Sequence, residues 1–231
     1  MNVDPKETGL PLCASQVRAL LDGRKATHRV AAKFKAIEKG YHLTDRSLQV
    51  GHWHPGIPNS GTLLGTSIAG VWKDRTHPLD CPYGLPGDHL WLQEEWCKHG
   101  GLVTYREDGD WIEEYAQAKP EEFAALKKLG IEPKWQPAET LPQDLARAHM
   151  EITAFRVERL KAITADQAIA EGLITLPASG RYVISLGDQH AGMASEDPRE
   201  VYFWLWALNG GNWKSNPWVW VIDFKKVEDA T

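Results

Sequence analysis

Residues 216–224, NPWVWVIDF, form the most strongly strand-like stretch of this sequence. Val219 and Val221 fall on one face of an extended chain, and Trp220 and Ile222 fall on the other. Apolar, β-branched and aromatic side chains on both faces are typical of a strand that is covered on both sides. We therefore predict that this stretch is a strand inside a sheet that is covered on both faces.

The other elements predict an α+β fold. The alternation of apolar side chains changes phase near Ala154, which indicates a strand with a bulge. Thr164 and Gln167 match a capping box before a short helix. A second strand follows the Gly87-Asp88 turn. Because helices are few and the strands are well separated along the chain, we expect a small, partly closed β-barrel with flanking helices. The predicted helices begin near positions 14, 120, 165 and 198.

We expect one domain over residues 1–231, with insertions at about 41–78 and 102–145. The first insertion is rich in Gly, Ser, Pro and Thr, which favours a long loop or a hairpin. In the second, the Asp108-Gly109-Asp110 segment predicts a hairpin-type turn, and a short polar helix starts at Pro120.

Length and composition exclude several classes of protein. The chain has 231 residues, of which 42% are hydrophobic, so it can bury a substantial core. It has no apolar run long enough for a membrane span and no signal-peptide core within its first ten residues. Three cysteines without a CxxC pair argue for a reducing compartment. We expect a soluble, cytoplasmic protein that does not contact a membrane.

Charge is distributed unevenly along the chain. Residues 102–145 contain ten Asp or Glu against five Lys or Arg, which accounts for the whole net charge of −5. Residues 16–46 contain eight Lys or Arg against three acids. The early segment therefore offers a modest positive field, suited to a nucleoside, a nucleotide or a short single strand more than to a duplex. The acidic segment is a candidate cover for this basic region.

Residues 23–29, GRKATHR, are the main candidate for a functional site. They directly follow the amphipathic helix predicted at 14–21, which Ser15 can cap and Gly23 ends. A chain that leaves a buried helix through a glycine can hold Lys25 and Thr27 close together in a cleft. The alternative is a solvated basic turn.

Two carboxylates stand at the ends of predicted elements. Glu94 ends the strand that follows Gly87-Asp88, where it either enters a site or makes a surface ion pair. Glu171 is the last residue of the helix closed by Gly172, which puts an acid at the negative end of the helix. Some other contact, such as a nearby lysine, is therefore expected to hold Glu171 in place.

A metal site is the least supported possibility. His52 and His54 would share a strand face and could bind a metal with His77 and Cys81. No second ligand pair follows at a usual spacing, so we expect neither a metal nor another cofactor.

Five segments, in this order, resemble the ASCH-domain family of the PUA-like superfamily, in the form found in phage and prophage genomes. The resemblance covers about two thirds of the chain. It implies a β-barrel with flanking helices and a cleft that binds RNA or a nucleobase. The segments are Gly23-Arg24-Lys25 after its helix, the turn from Cys81 to Asp88, the 156–160 segment, the helix end at 168–172, and the 216–220 segment.

Some members of this family are amidohydrolases that act on N4-acetylcytidine through a Lys, a Thr and a Glu. The resemblance implies that Lys25 and Glu171 are the Lys and the Glu. The Thr matches Thr27 if one residue is missing after Lys25, and without that gap His28 takes its place. Further candidates for contacts to substrate or nucleic acid are Arg24, Arg29, Tyr83, Glu94 and Trp218.

Three functions remain open at this point. The first is hydrolysis of an N4-acyl amide of cytidine, with Lys25 activating the Thr27 hydroxyl, Glu171 handling a proton, and Arg29 or a backbone N–H stabilising the oxyanion. The second is a non-catalytic module that binds RNA or single-stranded nucleic acid through charge and stacking. The third is a ribonuclease that uses Lys25 and His28. The expected partner is RNA, single-stranded nucleic acid or a modified nucleoside.

Overall fold

The computed structural model describes residues 5–32, 48–52, 62–68, 71–73, 78–79, 81–186 and 192–227. The described chain contains both helices and strands, so the expected α+β class is confirmed. The helices are Ala14–Leu21 (α1), Trp111–Ala118 (α2), Pro120–Leu129 (α3), Ala165–Ala170 (α4) and Pro198–Leu208 (α5). The strands are Glu7–Pro11 (β1), Thr27–Ala31 (β2), Leu48–His52 (β3), Thr62–Ile68 (β4), Val71–Lys73 (β5), Pro78–Leu79 (β6), His89–Gln93 (β7), Trp96–His99 (β8), Leu102–Tyr105 (β9), His149–Arg159 (β10), Ile174–Thr175 (β11), Tyr182–Val183 (β12) and Trp218–Val227 (β13).

The centre of the fold is a five-stranded mixed sheet in the order β1-β7-β10-β13-β2. Strand β1 pairs with β7 in parallel, and the other three pairings are antiparallel. Strand β13 contains most of the stretch at 216–224 and lies between β10 and β2, which confirms the prediction of a strand inside a sheet. Strands β1 and β2 form the two edges.

Because β10 contains a bulge, even-numbered residues before it and an odd-numbered residue after it pack into the same core. The register of β10 against β13 shifts between Ile152 and Ala154, as the change of phase in the sequence predicts. Met150 and Ile152 lie before the bulge and Val157 after it, and all three belong to the same hydrophobic cluster.

The sheet buries apolar side chains on both faces. On one face, Trp220 and Ile222 pack in a cluster with α1 and with β1. On the other face, Val219 and Val221 pack in a cluster with α4 and α5. The last strand therefore needs apolar side chains at every position from 219 to 222, which explains its sequence pattern.

Helix α1 begins and ends through main-chain contacts. Ser15 does not cap it, contrary to expectation, because the helix begins at Ala14, two residues earlier than a Ser15 cap requires. Its N-cap is Cys13, whose carbonyl oxygen accepts hydrogen bonds from the Gln16 and Val17 amides at 2.9 Å. The helix ends at Leu21, and Gly23 follows with a φ of 75°. That left-handed conformation favours glycine, and it sends the chain back toward β2.

Helix α4 has the predicted capping box. The Thr164 side chain accepts a hydrogen bond from the Gln167 amide, and the Gln167 side chain accepts one from the Thr164 amide. Glu171 is the C-cap, and Gly172 follows with a φ of 107°. The position of Glu171 at the negative helix end is therefore confirmed.

The two expected insertions contain more regular structure than their compositions indicate. Within 41–78, the described residues form strands β3, β4, β5 and the start of β6, joined in one antiparallel sheet. Within 102–145, helix α3 is confirmed at its predicted bounds. The prediction of a hairpin-type turn at 108–110 is wrong. The Asp110 side chain instead accepts a hydrogen bond from the Glu113 amide and caps helix α2.

No closed barrel is formed by the strands that the structure describes. The expected partly closed barrel therefore stays a prediction, since β1 and β2 are the two edges of the five-stranded sheet in the described residues. Residues of both edges line one cleft, as described below. The assignment of residues 1–231 to one domain stays a prediction.

Candidate functional site

Lys25 and Glu171 meet in the interior, although 146 positions separate them along the chain. The Lys25 Nζ lies 2.7 Å from Glu171 Oε2, and the two side chains are 0% and 1% exposed. Gly23 and the loop after it direct Lys25 under the end of α4, where the Ala26 amide also donates to the Ala170 carbonyl at 2.9 Å. The prediction that a lysine holds Glu171 at its helix end is confirmed.

Arg29 is the second cation on Glu171. Its Nη1 lies 3.1 Å from Glu171 Oε1, so each carboxylate oxygen has its own cation. Arg29 Nη2 also donates to Glu158 Oε1 at 2.9 Å. Two cations are thereby matched by two carboxylates. Buried charges need such pairing because desolvation costs several kcal/mol for each ion.

Thr27 lies beside the Lys25 amine. Lys25 Nζ donates to the main-chain oxygen of Thr27 at 2.8 Å. The Thr27 hydroxyl is buried and has no hydrogen-bond partner among the described residues. A buried hydroxyl without a partner costs free energy, so this oxygen is available to a ligand or a water molecule.

His28 points to the opposite face of β2 from Thr27, as strand alternation requires. Its ring meets Tyr83 edge-on, with ring centroids 6.3 Å apart, and its Nδ1 is buried without a partner in the described structure. Burial lowers the pKa of His28 well below its usual range, and the nearby Lys25 and Arg29 cations lower it further. His28 is therefore a neutral imidazole at pH 7.

A cleft of about 960 Å³ lies next to this cluster. Arg29 connects the buried cluster with the cleft, since it binds Glu171 and also lines the cleft. Its guanidinium carbon lies 5.9 Å from the centre of the ring of Tyr202, another lining residue. Burial raises the pKa of Tyr202 well above its ordinary value, and Glu171 raises it further, so the phenol stays protonated. Lys25, Thr27 and Glu171 lie behind Arg29 and do not line the cleft.

The cleft lies between the two edges of the central sheet. The β2 wall consists of residues 28–31, and β1 contributes Pro11. The start of α1 and the end of α5 close two further sides, with Cys13 and Gln16 from the former and Tyr202 and Trp206 from the latter. Residues 106–107 and 137–139 of the acidic segment complete the lining, so that segment does lie beside the basic region.

Every arginine that lines the cleft already has a carboxylate partner. Arg29 is held by Glu171 and Glu158, and Arg106 by Glu95 at 2.8 Å and by Asp110 at 3.1 Å. The described lining residues otherwise include four glutamates and no lysine. These glutamates are Glu94, Glu95, Glu107 and Glu139. The lining is therefore unsuited to a phosphate group.

Glu94 is brought to the cleft but is already engaged. It is 1% exposed, and Arg147 contacts both of its oxygens, with Nε at 2.9 Å and Nη2 at 2.5 Å. Arg147 also binds Asp108 and lies over the Tyr105 ring at 4.3 Å. This contact links the core of the protein to the acidic segment.

Three other predicted contact residues lie outside the cleft lining. Arg24 donates to the Gly172 carbonyl and pairs with Asp22 at 2.9 Å. Tyr83 packs against His28, and Trp218 is covered by the Arg159 guanidinium at 4.4 Å from its ring centre. These residues support the site from behind and do not face the same space as Arg29.

The sequence analysis missed Tyr202, Trp206, Cys13 and Gln16 as lining residues. The aromatic residues of α5 carried a partial signal, since Trp206 Nε1 is buried without a partner in the described structure. A sequence pattern does not distinguish such a residue from an ordinary core aromatic.

A metal centre is not evident in the part of the chain that the structure describes. The described residues contain no group of three or more His, Cys, Asp and Glu side chains that could hold a metal ion. His54 and His77 of the possible metal set lie outside the described residues.

No helix in the described part of the chain has the length and apolar character that crossing a membrane requires.

Comparisons of the chain with protein-family models, with curated proteins and with solved structures found no match.

Proposed function

We propose that this chain is a PUA-like protein of the ASCH type that binds a pyrimidine nucleoside and hydrolyses an N4-acyl amide of cytidine. One observation carries the proposal. The Lys25 amine and the Glu171 carboxylate meet at 2.7 Å, the buried Thr27 hydroxyl has no partner among the described residues, and Arg29 connects this cluster to a cleft large enough for a nucleoside. The five-stranded sheet, whose edge strands β1 and β2 both line this cleft, supports the PUA-like assignment.

The chemistry begins with proton transfer between Thr27 and Lys25. A threonine hydroxyl attacks an amide only when a base takes its proton, and in this proposal the Lys25 amine is that base after it has passed its own proton to the Glu171 carboxylate at 2.7 Å. The Thr27 oxygen then bonds to the acyl carbon. The C–N bond to cytosine N4 breaks, and N4 leaves with a proton from Lys25. Water cleaves the resulting ester, returning the proton to Thr27 and releasing the carboxylic acid.

Arg29 has two roles in this proposal. Its side chain separates the buried pair from the cleft, so the acyl group reaches Thr27 only when the guanidinium shifts aside. Once shifted, a guanidinium beside the acyl carbonyl is a suitable donor for the developing oxyanion. Glu158, the other partner of Arg29, is 22% exposed and can hold the guanidinium in the displaced position.

The charge of the cleft favours a free nucleoside over a polymer. Binding of RNA depends on cations that neutralise phosphates, and the arginines lining the cleft are already paired. The ribonuclease considered from the sequence relies on His28 changing protonation near neutral pH, whereas His28 is buried and its pKa is lowered well below its usual range. We therefore do not extend the proposal to RNA cleavage.

A second candidate is nucleoside binding without a reaction. The observation that favours it is that Lys25, Thr27 and Glu171 do not line the cleft. In this case the ion pairs among Lys25, Arg29, Glu171 and Glu158 stabilise the fold, and the cleft alone binds the nucleoside.

One experiment separates the two candidates. Pure protein is incubated with N4-acetylcytidine and with RNA, and the products are analysed by mass spectrometry. We expect release of cytidine by the wild type and by Lys161→Ala, an exposed lysine control, and no release by Lys25→Ala or Thr27→Val. Binding of cytidine without product from any variant would support the second candidate. RNA fragments formed by the wild type would contradict both.

A further inference from the structure

The edge of β2 that faces away from β13 carries main-chain N–H and C=O groups that pair with no strand among the described residues. In an antiparallel pair, alternate residues direct both their N–H and their C=O toward the partner strand. The Phe224 amide donates to the Ala26 carbonyl, and the Ala32 amide donates to the Trp218 carbonyl. With the register that joins Arg29 to Val221, the even-numbered residues of β2 therefore face β13.

The odd-numbered residues of β2 consequently face away from β13. Thr27 shows this directly, because its outward carbonyl accepts the hydrogen bond from Lys25. Arg29 and Ala31 are the next two outward-facing residues, and both line the cleft. No described residue pairs with the outer side of β2 as a strand. The Arg29 carbonyl and the Ala31 amide thus form an acceptor and a donor side by side.

We propose that this main-chain pair binds the base itself, with the Ala31 N–H donating to cytosine N3 and the Arg29 carbonyl accepting from the N4 amine. The inference rests on the proposed function and names the groups that select its substrate. An N4-acylated cytosine keeps one N–H on N4, so substrate and product can make the same two contacts. The Arg29 carbonyl lies about 7 Å along the strand from that of Thr27, which brings the acyl group toward Lys25.

The shape of the cleft favours a base over a peptide strand. Only residues 28–31 of β2 line it, and just two of these face outward. Strand addition by a peptide uses a longer row of main-chain groups, whereas a planar ring needs one donor and one acceptor. Tyr202 and Trp206 on the α5 side supply aromatic surface for the faces of such a ring.

The test removes one main-chain donor without disturbing the sheet. Ala31→Pro deletes the outward N–H, and proline is tolerated at an edge strand because no ladder hydrogen bond is lost. Ala31→Ser retains the N–H and is the matched control. Binding of cytidine by calorimetry is expected to weaken about tenfold to a hundredfold in Ala31→Pro and to stay within about twofold in Ala31→Ser.

A second ligand shows whether the proline acts by removing the hydrogen bond or by filling space. 3-Deazacytidine lacks the N3 acceptor, so it should bind the wild type as weakly as cytidine binds Ala31→Pro. The proline should then weaken 3-deazacytidine binding little further. The comparison of cytidine with 3-deazacytidine on the wild type does not depend on the stability of Ala31→Pro.

The outcomes distinguish the two levels of the proposal. Equal losses for both ligands in Ala31→Pro, or equal binding of both ligands by the wild type, would overturn the main-chain contact and leave nucleoside binding intact. A wild type that binds neither cytidine nor N4-acetylcytidine would overturn the proposed function together with this inference.

Discussion

At the scale of single residues, the site is organised by one buried carboxylate. Glu171 stands at the negative end of α4 and accepts two cations, one on each oxygen. The cost of placing an acid there is offset because Lys25 and Arg29 neutralise it in a medium of low dielectric. The proposed chemistry uses the same Lys25 amine and Glu171 carboxylate, so it depends on the same atoms as stability does.

A double-mutant cycle measures this coupling. Removing one partner leaves a buried charge less well compensated, so Lys25→Met and Glu171→Gln should each lower the free energy of unfolding by about 3 kcal/mol. The double variant should be at least 1 kcal/mol more stable than the sum of the single losses predicts. Urea unfolding provides the measurement. Strictly additive losses would show that the pair contributes no interaction energy.

The pH dependence of stability should report the burial of His28. Its pKa is well below about 6.5 when folded and near that value when unfolded, so the unfolded state binds more protons between the two values. The free energy of unfolding should therefore fall as the pH is lowered from about 7 to about 5, by up to about 1.4 kcal/mol per pH unit. His28→Asn should remove most of this slope.

The control for that series is His99→Asn, which changes an exposed histidine. It should leave the slope between pH 7 and pH 5 as it is in the wild type. A slope that persists in His28→Asn would assign it to other groups.

At the scale of elements, α1 and the end of α4 pack so closely that only glycine fits between them. A Cβ atom added to Gly172 would lie 2.4 Å from the Cβ of Ala19 and 3.3 Å from that of Lys25. Gly172 also has a φ of 107°, which side chains rarely adopt. This contact sets the distance between the loop that carries Lys25 and the helix end that carries Glu171.

Gly172→Ala should therefore lower the free energy of unfolding by about 3 kcal/mol, and with it the hydrolysis that we propose. Gly180→Ala is the matched control, since Gly180 has a φ of 68° and nothing within 4 Å of an added Cβ. That control should lose only about 1 kcal/mol. Thermal and urea unfolding of both variants provide the measurement. Equal losses of stability in Gly172→Ala and Gly180→Ala would contradict the role of close packing.

At the scale of the whole molecule, two arginines join the acidic segment to the core, Arg147 through Asp108 and Arg18 through Glu107. Arg147 also binds Glu94, whose side chain is 2% exposed, whereas the Arg18 side chain is itself 55% exposed. Both contacts hold walls of the cleft in place. Only the buried one should contribute strongly, because exposed pairs are screened by water and ions.

Arg147→Ala should lower the free energy of unfolding by about 3 kcal/mol, since Glu94 then remains buried without its cation. Arg18→Ala should change it by no more than about 1 kcal/mol. The double variant Arg147→Met with Glu94→Gln should recover part of the loss. Urea unfolding of the three variants checks this order, and a larger effect of Arg18→Ala would reverse it.

Local patterns in the chain were sufficient to predict the strand inside the sheet, the bulge in β10, the capping box of α4 and helix α3, because each depends on neighbouring side chains and their periodicity. The same patterns indicated that Glu171 needs a cation. They did not predict the capping role of Asp110, since a turn and a helix start use the same residue types.

The cleft, in contrast, follows only from the folded chain. Its walls come from β1, β2, α1, α5 and the acidic segment, and no sequence pattern states which of these face one another. Whether a strand edge stays unpaired, and whether a cation is free or already matched, depends on contacts between residues far apart in the chain. Those contacts place Arg29 between the buried pair and the ligand space, a position that the spacing of Lys25, Thr27 and Arg29 did not reveal.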